Sequence, residues 1–425
     1  MSEGLDVWPH LTSLLSRLGV VSPAAPAHSD AICVVASITN LAQVERVYGS
    51  TLASLMRCIV HERARHVCET HGGIMTMSGE HILFIFDPSS GSHPLDETYA
   101  PRASILLECI FCTLGDRPIE TNDRAVFPVI AATVAPWTDA PFDIAAVGAS
   151  AISEGRSGRE WRERYVADMN IAERLFNAMD EGRLGFEWEP VHDADPKAPV
   201  HYSEALLCQT DGGVVTRVGA MVLALERLGL VRRLDQWVVG SVIDTLRLNP
   251  TISLGCNVSA QSATLDTWWS FIVITLNEEW EIASRLVVEI TETTPLTVTP
   301  GVRAFVKALQ SLGCRVALDD VGAGHSNLSA LVELGVDIAK IDAVYLRQAK
   351  QDSRGAERLR QLVGLAKACT SSVVIEGVES VDDAEVARSS GADWLQGYLF
   401  SKAAPSNLRN PAAERRDHNQ YGNGD

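Results

Sequence analysis

The sequence predicts an α/β protein: a C-terminal (β/α)8 barrel preceded by a smaller α/β unit. Three observations carry this. From about residue 186, short apolar runs alternate with amphipathic helical patterns every few tens of residues. Most of these runs end in an acid or an amide. Upstream of that point the rhythm is different, with fewer and more widely spaced strand patterns. Seven or eight strand-then-helix units in about 240 residues is what a closed barrel requires. A doubly wound open sheet is the competitor, but no glycine-rich phosphate loop follows the first strand.

Bulk properties narrow the function. The 425 residues allow two or three domains, and 46% hydrophobic with 21% charged residues is ordinary for a globular chain. A net charge of -18 argues against a nucleic acid polymer as the main partner, while leaving room for a small phosphorylated ligand held through cations. The N-terminus carries acids where a signal peptide carries bases, and no apolar run is long enough to span a membrane. The nine cysteines are scattered and odd in number, which predicts a reduced, cytoplasmic protein. Cys109 and Cys112 form a lone CxxC inside an apolar run and read as part of a helix face.

In chain order, residues 1–30 read as a weak helix followed by a Pro/Ala-rich linker. Residues 31–165 form the smaller unit, with strands expected at 31–38, His81–Phe86 and 126–134 and helices at 41–70 and 101–114. A charged helix over 160–180 leads into the barrel unit, 168–407. Its strands are expected at 202–207, 253–258, 286–290, 316–318, Ile338–Ile341, 373–375 and 394–399. Helices are expected over 218–228, 232–246, 263–280, 300–312, Leu328–Leu334, 356–367 and 384–390. Residues 408–425 are polar and read as a disordered tail.

In a barrel all strand C-termini open on one face, so polar residues at the run ends meet in one bowl. These are Asn257, Glu289 with Glu292, Asp319 with Asp320, Lys340 with Asp342, Glu376 with Glu379, and Gln396; Glu204 projects into the same bowl. Asp319 and Asp320 are adjacent on a strand, where side chains alternate, so they can converge only where the strand gives way to a loop. Two such carboxylates repel unless a cation lies beside them. The set is carboxylate and amide oxygen without a His–Cys cluster, which selects Mg2+ or Mn2+. Two cations sharing an aspartate suit displacement at phosphorus. Glu376 is placed to take a proton from the attacking water, and Lys340 to orient it or stabilise the leaving charge.

Glu204-Ala205-Leu206 and the blocks Asn257-Val258-Ser259-Ala260, Glu289-Ile290-Thr291-Glu292, Asp319-Asp320-Val321-Gly322-Ala323-Gly324, Lys340-Ile341-Asp342, Glu376-Gly377-Val378-Glu379 and Gln396-Gly397-Tyr398-Leu399-Phe400 resemble the EAL-type cyclic di-GMP phosphodiesterases over about residues 170–405. The resemblance implies a TIM-like barrel that hydrolyses cyclic di-GMP to pGpG. Carried over, Glu204, Asn257, Glu289 and Asp319 bind a first metal and Asp319 with Asp320 a second. Lys340 and Glu376 serve the attacking water. Glu189, Cys208, Glu379 and Gln396 stand on the substrate side. Glu292 anchors a glycine-rich loop that in the family also helps form a homodimer. This sequence departs from the family pattern at Cys208, in place of a phosphate-contacting arginine, and at Glu189, Val321 and His325. These departures sustain an alternative reading, a catalytically inactive cyclic di-GMP receptor or signalling scaffold.

The smaller unit resembles a GGDEF domain, with Ser78-Gly79-Glu80-His81-Ile82 at the signature hairpin. The expected metal-binding aspartates fall at Ser37 and Thr39, and the nucleotide-contacting positions at Glu45 and Ser54. One remaining acid, Glu80, cannot hold two cations on a triphosphate. The resemblance therefore implies a degenerate domain that regulates rather than synthesises.

Overall fold

The computed structural model of the protein describes residues 31–86, 99–121, 124–135, 158–194, 200–265, 269–291, 296–322 and 328–403. The expected N-terminal helix and linker, the C-terminal tail, Glu292 and His325 lie outside the described residues. The chain divides into two compact units between Glu173 and Arg174, with Arg227–Gly229 grouped with the first.

In the first unit, β1 (Ile32–Ile38) is buried throughout and lies between β3 (His81–Phe86) and β6 (Ile130–Ala135); β2 (Gly73–Ser78) pairs with β3. Every pairing in this four-stranded sheet is antiparallel. A separate small hairpin joins β4 (Ile119–Thr121) to β5 (Arg124–Val126), so the single strand expected over 126–134 is two. The helix expected over 41–70 is also two, Leu41–Tyr48 and Ser50–His71. They break at Gly49, whose φ of 93° lies in the region that side-chain-bearing residues avoid. Helix Ser50–His71 buries Leu52, Met56, Val60, Ala64 and Val67, a stripe at three- and four-residue intervals. At the β2–β3 hairpin tip, Gly79 and Glu80 form the turn.

The second unit is a closed eight-stranded barrel. In ring order it comprises β7 (Leu184–Asp193), β8 (Val200–Asp211), β10 (Leu254–Ser259), β11 (Leu286–Thr291), β12 (Arg315–Val321), β13 (Ile338–Ile341), β14 (Ser372–Ile375) and β15 (Trp394–Gln396). Neighbours from β8 round to β15 are parallel, and β7 is antiparallel to both its neighbours. This corrects the expectation that all strands run one way. Only residues 194–199 separate β7 from β8, too few for the crossover that parallel neighbours need. Beyond the ring, β9 (Val214–Arg217) folds back on β8 and extends the sheet past the mouth.

The helical connections follow the expected order, with one split and one added helix. Ser270–Glu278 and Trp280–Ala283 replace one helix, and Ala343–Ala349 precedes Ser353–Cys369. Caps mark their starts: Asp342 accepts from the Val344 N–H at 2.6 Å, and Ser380 with Asp383 forms a capping box. No helix among the described residues is long and apolar enough to cross a membrane.

Inside the barrel, Val191, Tyr202, Val287, Ala317, Ile338 and Val374 pack as one apolar layer against Trp394. This floor positions the site. Side chains alternate along a strand, so the next inward residue of each parallel strand lies two positions later and one layer nearer the mouth. Those residues are Glu204, Glu289, Asp319, Lys340 and Glu376, with Gln396 after Trp394. On antiparallel β7 the step runs backward, from Val191 to Glu189, which pairs directly with Glu204.

Candidate active site

Lys340 stands at the centre of the second layer. It is fully buried, and its Nζ lies 2.6 Å from Glu289 Oε2, 2.8 Å from Glu204 Oε2, 2.9 Å from Glu376 Oε1 and 3.3 Å from Asp319 Oδ1. Four strands thus bring four carboxylates to one ammonium. Asn257 Nδ2 and Gln396 Nε2 each donate to Glu204 at 2.6 Å, fixing both its oxygens. Gly255 makes room for this arrangement: a Cβ there would stand 2.4 Å from Glu289 Oε1 and 2.7 Å from the Tyr202 ring.

Asp319 and Asp320 are brought together by the backbone. Along β12 and β13, Leu318 pairs with Ala339 and Val321 with Ile341, so three steps on one strand face two on the other. Asp320 has φ of 52°, and it is the one non-glycine among the described residues with positive φ. A bulge with a left-handed residue turns a side chain that would otherwise face outward. Asp, which visits this region more readily than most residues, suits the position. Carboxylate oxygens of Asp319, Asp320 and Glu376 consequently lie within 4.8 Å of one another. Convergence was expected where the strand ends; it occurs within the strand, which continues to Val321.

The charges are unevenly shared. Burial alone would strip the proton from Lys340, but Asp319, Glu204, Glu289 and Glu376 reverse this and hold its pKa well above the ordinary ammonium range. Burial likewise opposes ionisation of Glu204, yet Lys340 and the hydrogen bonds from Lys340, Gln396 and Asn257 bring it below the usual value. The others go up. Burial and then Glu204 push Glu289 to about 8; burial, with Asp319 and Asp342 next, pushes Asp320 to about 7. Burial also raises Asp319 and Glu376, against the pull of Lys340. One ammonium cannot neutralise the whole set.

This imbalance tests whether divalent cations fit. Glu289 Oε1 and Asn257 Oδ1 are buried and accept no hydrogen bond, and Glu289 Oε2 and Asp319 Oδ1 face the shared Lys340 ammonium. They are hard oxygen donors beside the Asp319–Asp320–Glu376 group, the donor class that Mg2+ or Mn2+ takes. The residues fit such ions.

A pH dependence follows. Glu289, Asp319, Asp320 and Glu376 hold protons more tightly in the folded protein than in the unfolded chain. Their contribution to stability is therefore present below ordinary carboxyl values, about 4, and is lost as pH rises through the folded values. Glu204, shifted the other way, acts only below that window. In chelator, the barrel's urea midpoint should fall between pH 5 and pH 8. Saturating Mg2+ should flatten the fall, and a midpoint that rises with pH would contradict the charge assignment.

The other expected site residues are distributed as follows. Gln396 is buried, and its amide is used to position Glu204. Glu189 faces Gln396 Nε2 at 3.4 Å and Arg217 at 3.4 Å. Cys208 is 4% exposed, paired across the sheet with Gly185 and Arg217, and burial raises its thiol pKa. Glu379 stands apart: it is exposed, and its backbone N–H donates to Asp383. Asp342 serves as a helix cap. Sequence reasoning missed Tyr202, Gly255 and Arg217; the first is legible as the residue two before Glu204 on the same strand face.

In the first unit, Ser37 Oγ lies 2.6 Å from His81 Nδ1, Thr39 donates to the Val129 carbonyl, and Ser54 accepts from Arg57. The three hydroxyls are engaged within the fold.

A family model for the EAL domain matches residues 172–403, more than half of the chain. The cyclic di-GMP phosphodiesterase PdeL of Escherichia coli K12 is 33% identical over 187 residues, covering 43% of this chain and 52% of PdeL. The cyclic di-GMP phosphodiesterase TpdA of Vibrio parahaemolyticus is 35% identical over 124 residues, covering 28% of this chain and 22% of TpdA. The chain thus spans about half or less of the length of these curated relatives. Among solved structures, the apo S helix-GGDEF-EAL portion of Vibrio cholerae LapD superposes with a TM-score of 0.51 at 15% identity, over 87% of this chain and 88% of that one, a likeness of fold alone. With the barrel, its ring of carboxylates and the family match over 172–403 in hand, the chain belongs to the EAL domain family.

Proposed function

We propose that this protein is a metal-dependent phosphodiesterase that hydrolyses cyclic di-GMP to pGpG. The observation that carries the reading is the set of Glu204, Asn257, Glu289, Asp319, Asp320 and Glu376, buried or half-buried about Lys340, with Glu289 Oε1 and Asn257 Oδ1 left without a hydrogen bond. The relatives' names as cyclic di-GMP phosphodiesterases support the substrate. Glu204, Asn257, Glu289 and Asp319 would hold one Mg2+ or Mn2+, and Asp319 with Asp320 the second. Bound there, the cations supply Lewis-acid neutralisation of phosphate charge.

The chain's own residues do the rest. Glu376, whose proton affinity burial raises, would accept the proton of an attacking water in its ionised form, which Lys340 favours. Lys340, 2.9 Å away, holds that carboxylate in place and offsets the negative charge that gathers as the phosphorus–oxygen ester bond breaks. Water oxygen is added at phosphorus as its proton passes to Glu376, the ester oxygen leaves and takes up a proton to become a free hydroxyl, and the ring opens. Glu204 is kept ionised by Lys340, Asn257 and Gln396 throughout.

The competing reading, a receptor that binds without turnover, draws on Cys208, whose buried thiol offers a phosphate no charge. Incubating the protein with cyclic di-GMP and Mg2+ or Mn2+ separates the two. Appearance of pGpG supports the enzyme; saturable binding without product supports the receptor.

For the first unit we propose a degenerate GGDEF-like role, regulatory rather than synthetic, because Ser37, Thr39 and Ser54 offer hydroxyls already engaged in the fold. With GTP and Mg2+, the protein should yield no cyclic di-GMP; a detectable product would refute this. All nine cysteines are free thiols, consistent with a cytoplasmic setting, and a homodimer through the barrel is part of the same proposal.

A further inference from the structure

Cys208, Glu187, Glu189 and Arg217 form a patch at the mouth that the carboxylate cluster does not include. Along β8, Tyr202 belongs to the interior layer and Glu204 to the cluster, so Leu206 and Cys208 continue the same face toward and beyond the rim. Opposed residues of an antiparallel pair share a face. Cys208 pairs with Arg217, Leu206 with Glu187 and Glu204 with Glu189, so all three charged side chains stand on the face of the bowl. Their contacts agree with this placement. Arg217 Nε lies 2.8 Å from Glu187 Oε2 and its terminal nitrogen 3.4 Å from Glu189 Oε2. Glu189 in turn faces Gln396 Nε2 at 3.4 Å, and Gln396 donates to Glu204. The guanidinium therefore reaches back along the strands toward the cluster.

We propose that Arg217 is a substrate-binding residue, receiving a phosphodiester oxygen of the cyclic dinucleotide, with Glu187 and Glu189 holding it over the bowl. The inference rests on the phosphodiesterase reading above. Beyond the divalent cations of that reading, Lys340 is buried and engaged with carboxylates, so the side-chain cation open to a phosphodiester oxygen on this face is Arg217 at the rim. Arg217 is 58% exposed on the side chain, and its partners are 46% and 21% exposed. Ion pairs this open are weak and exchange readily, so trading a glutamate oxygen for a phosphate oxygen costs little. A planar fork suits two oxygens of one phosphate. The sequence hides this residue because it sits on the return strand of a hairpin, nine positions from the cysteine it faces.

The test is steady-state kinetics and calorimetric titration of cyclic di-GMP, with Ca2+ replacing Mg2+ in the titration. Arg217→Ala should raise KM and Kd by about 10- to 100-fold, the range for loss of a hydrogen bond to a charged group, with kcat within about threefold. Arg217→Lys should recover part of the affinity, and Arg217→Glu should lose more than alanine. The salt dependence of binding should also weaken in Arg217→Ala, which a merely structural role would not produce. A wild-type protein that turns over substrate, beside an Arg217→Ala variant with unchanged KM and Kd, overturns this inference and leaves the phosphodiesterase reading standing. A variant that loses kcat at constant KM overturns it as well. A wild-type protein that neither binds nor hydrolyses cyclic di-GMP overturns both.

Discussion

Asp319→Asn or Glu204→Gln should lower turnover of cyclic di-GMP by about 10²–10³-fold or more, the range for loss of one preorganised electrostatic group, while the barrel stays folded. Asp319 joins the two halves of the site. It lies 3.3 Å from Lys340 and within 4.8 Å of ligand oxygens of Asp320 and Glu376. Glu204 is the carboxylate that the surrounding hydrogen bonds keep ionised. Neither change alters side-chain volume much, and each removes a negative charge from a cluster that carries too many. In chelator the thermal midpoint should hold or rise slightly for Asp319→Asn, whose ionised form burial and Glu204 disfavour, and fall for Glu204→Gln, which takes away the carboxylate that Lys340, Asn257 and Gln396 hold ionised. The assay is pGpG formation beside circular dichroism of the same samples. Wild-type turnover in either variant would rule out the two-metal assignment.

Lys340→Met should give the largest loss of stability. The ammonium is fully buried and lies within 3.3 Å of four carboxylates. Methionine fills most of the volume but leaves those carboxylates without a counter-charge. Breaking a buried ion pair from one side costs about 3–5 kcal/mol. The penalty should be greatest near pH 8 and shrink toward pH 5, where Glu289 and its neighbours take up protons. Added Mg2+ should recover part of it by replacing the missing positive charge. Urea unfolding of the barrel transition at both pH values, with and without Mg2+, measures this. An unchanged midpoint at pH 8 would show that the cluster is neutralised in some other way.

The two expectations share one structural cause, the layering of the barrel. Alternation along each strand places an apolar residue at one level and a charged residue two positions later, nearer the mouth. Val287 with Glu289, Ala317 with Asp319, Ile338 with Lys340 and Val374 with Glu376 repeat the device. The apolar floor excludes water from below. It is why Glu289, Asp319 and Glu376 above it have raised pKa values and why cations would bind there with force.

Much of this was legible in the chain itself. Apolar runs followed by an acid, an amide or a lysine specify which strands exist, which end opens on the site and which donor chemistry collects there. Those properties are local: a run of Val, Ile and Leu makes a buried strand wherever it lies, and a carboxylate beside it must find a cation or a proton. The direction of β7 was not legible, because hydrophobic patterning reads the same in either sense along a strand; the short link to β8 decides it. The convergence of Asp319 and Asp320 needed a bulge and a left-handed backbone at Asp320, which depend on how β12 registers against β13. The pairing of Cys208 with Arg217 is a matter of hairpin register, invisible to spacing along the sequence. Composition and pattern determined which groups this protein brings to its site. Strand direction, register and burial decided how far apart they stand and how much charge they carry, because those depend on neighbours that only the closed barrel supplies.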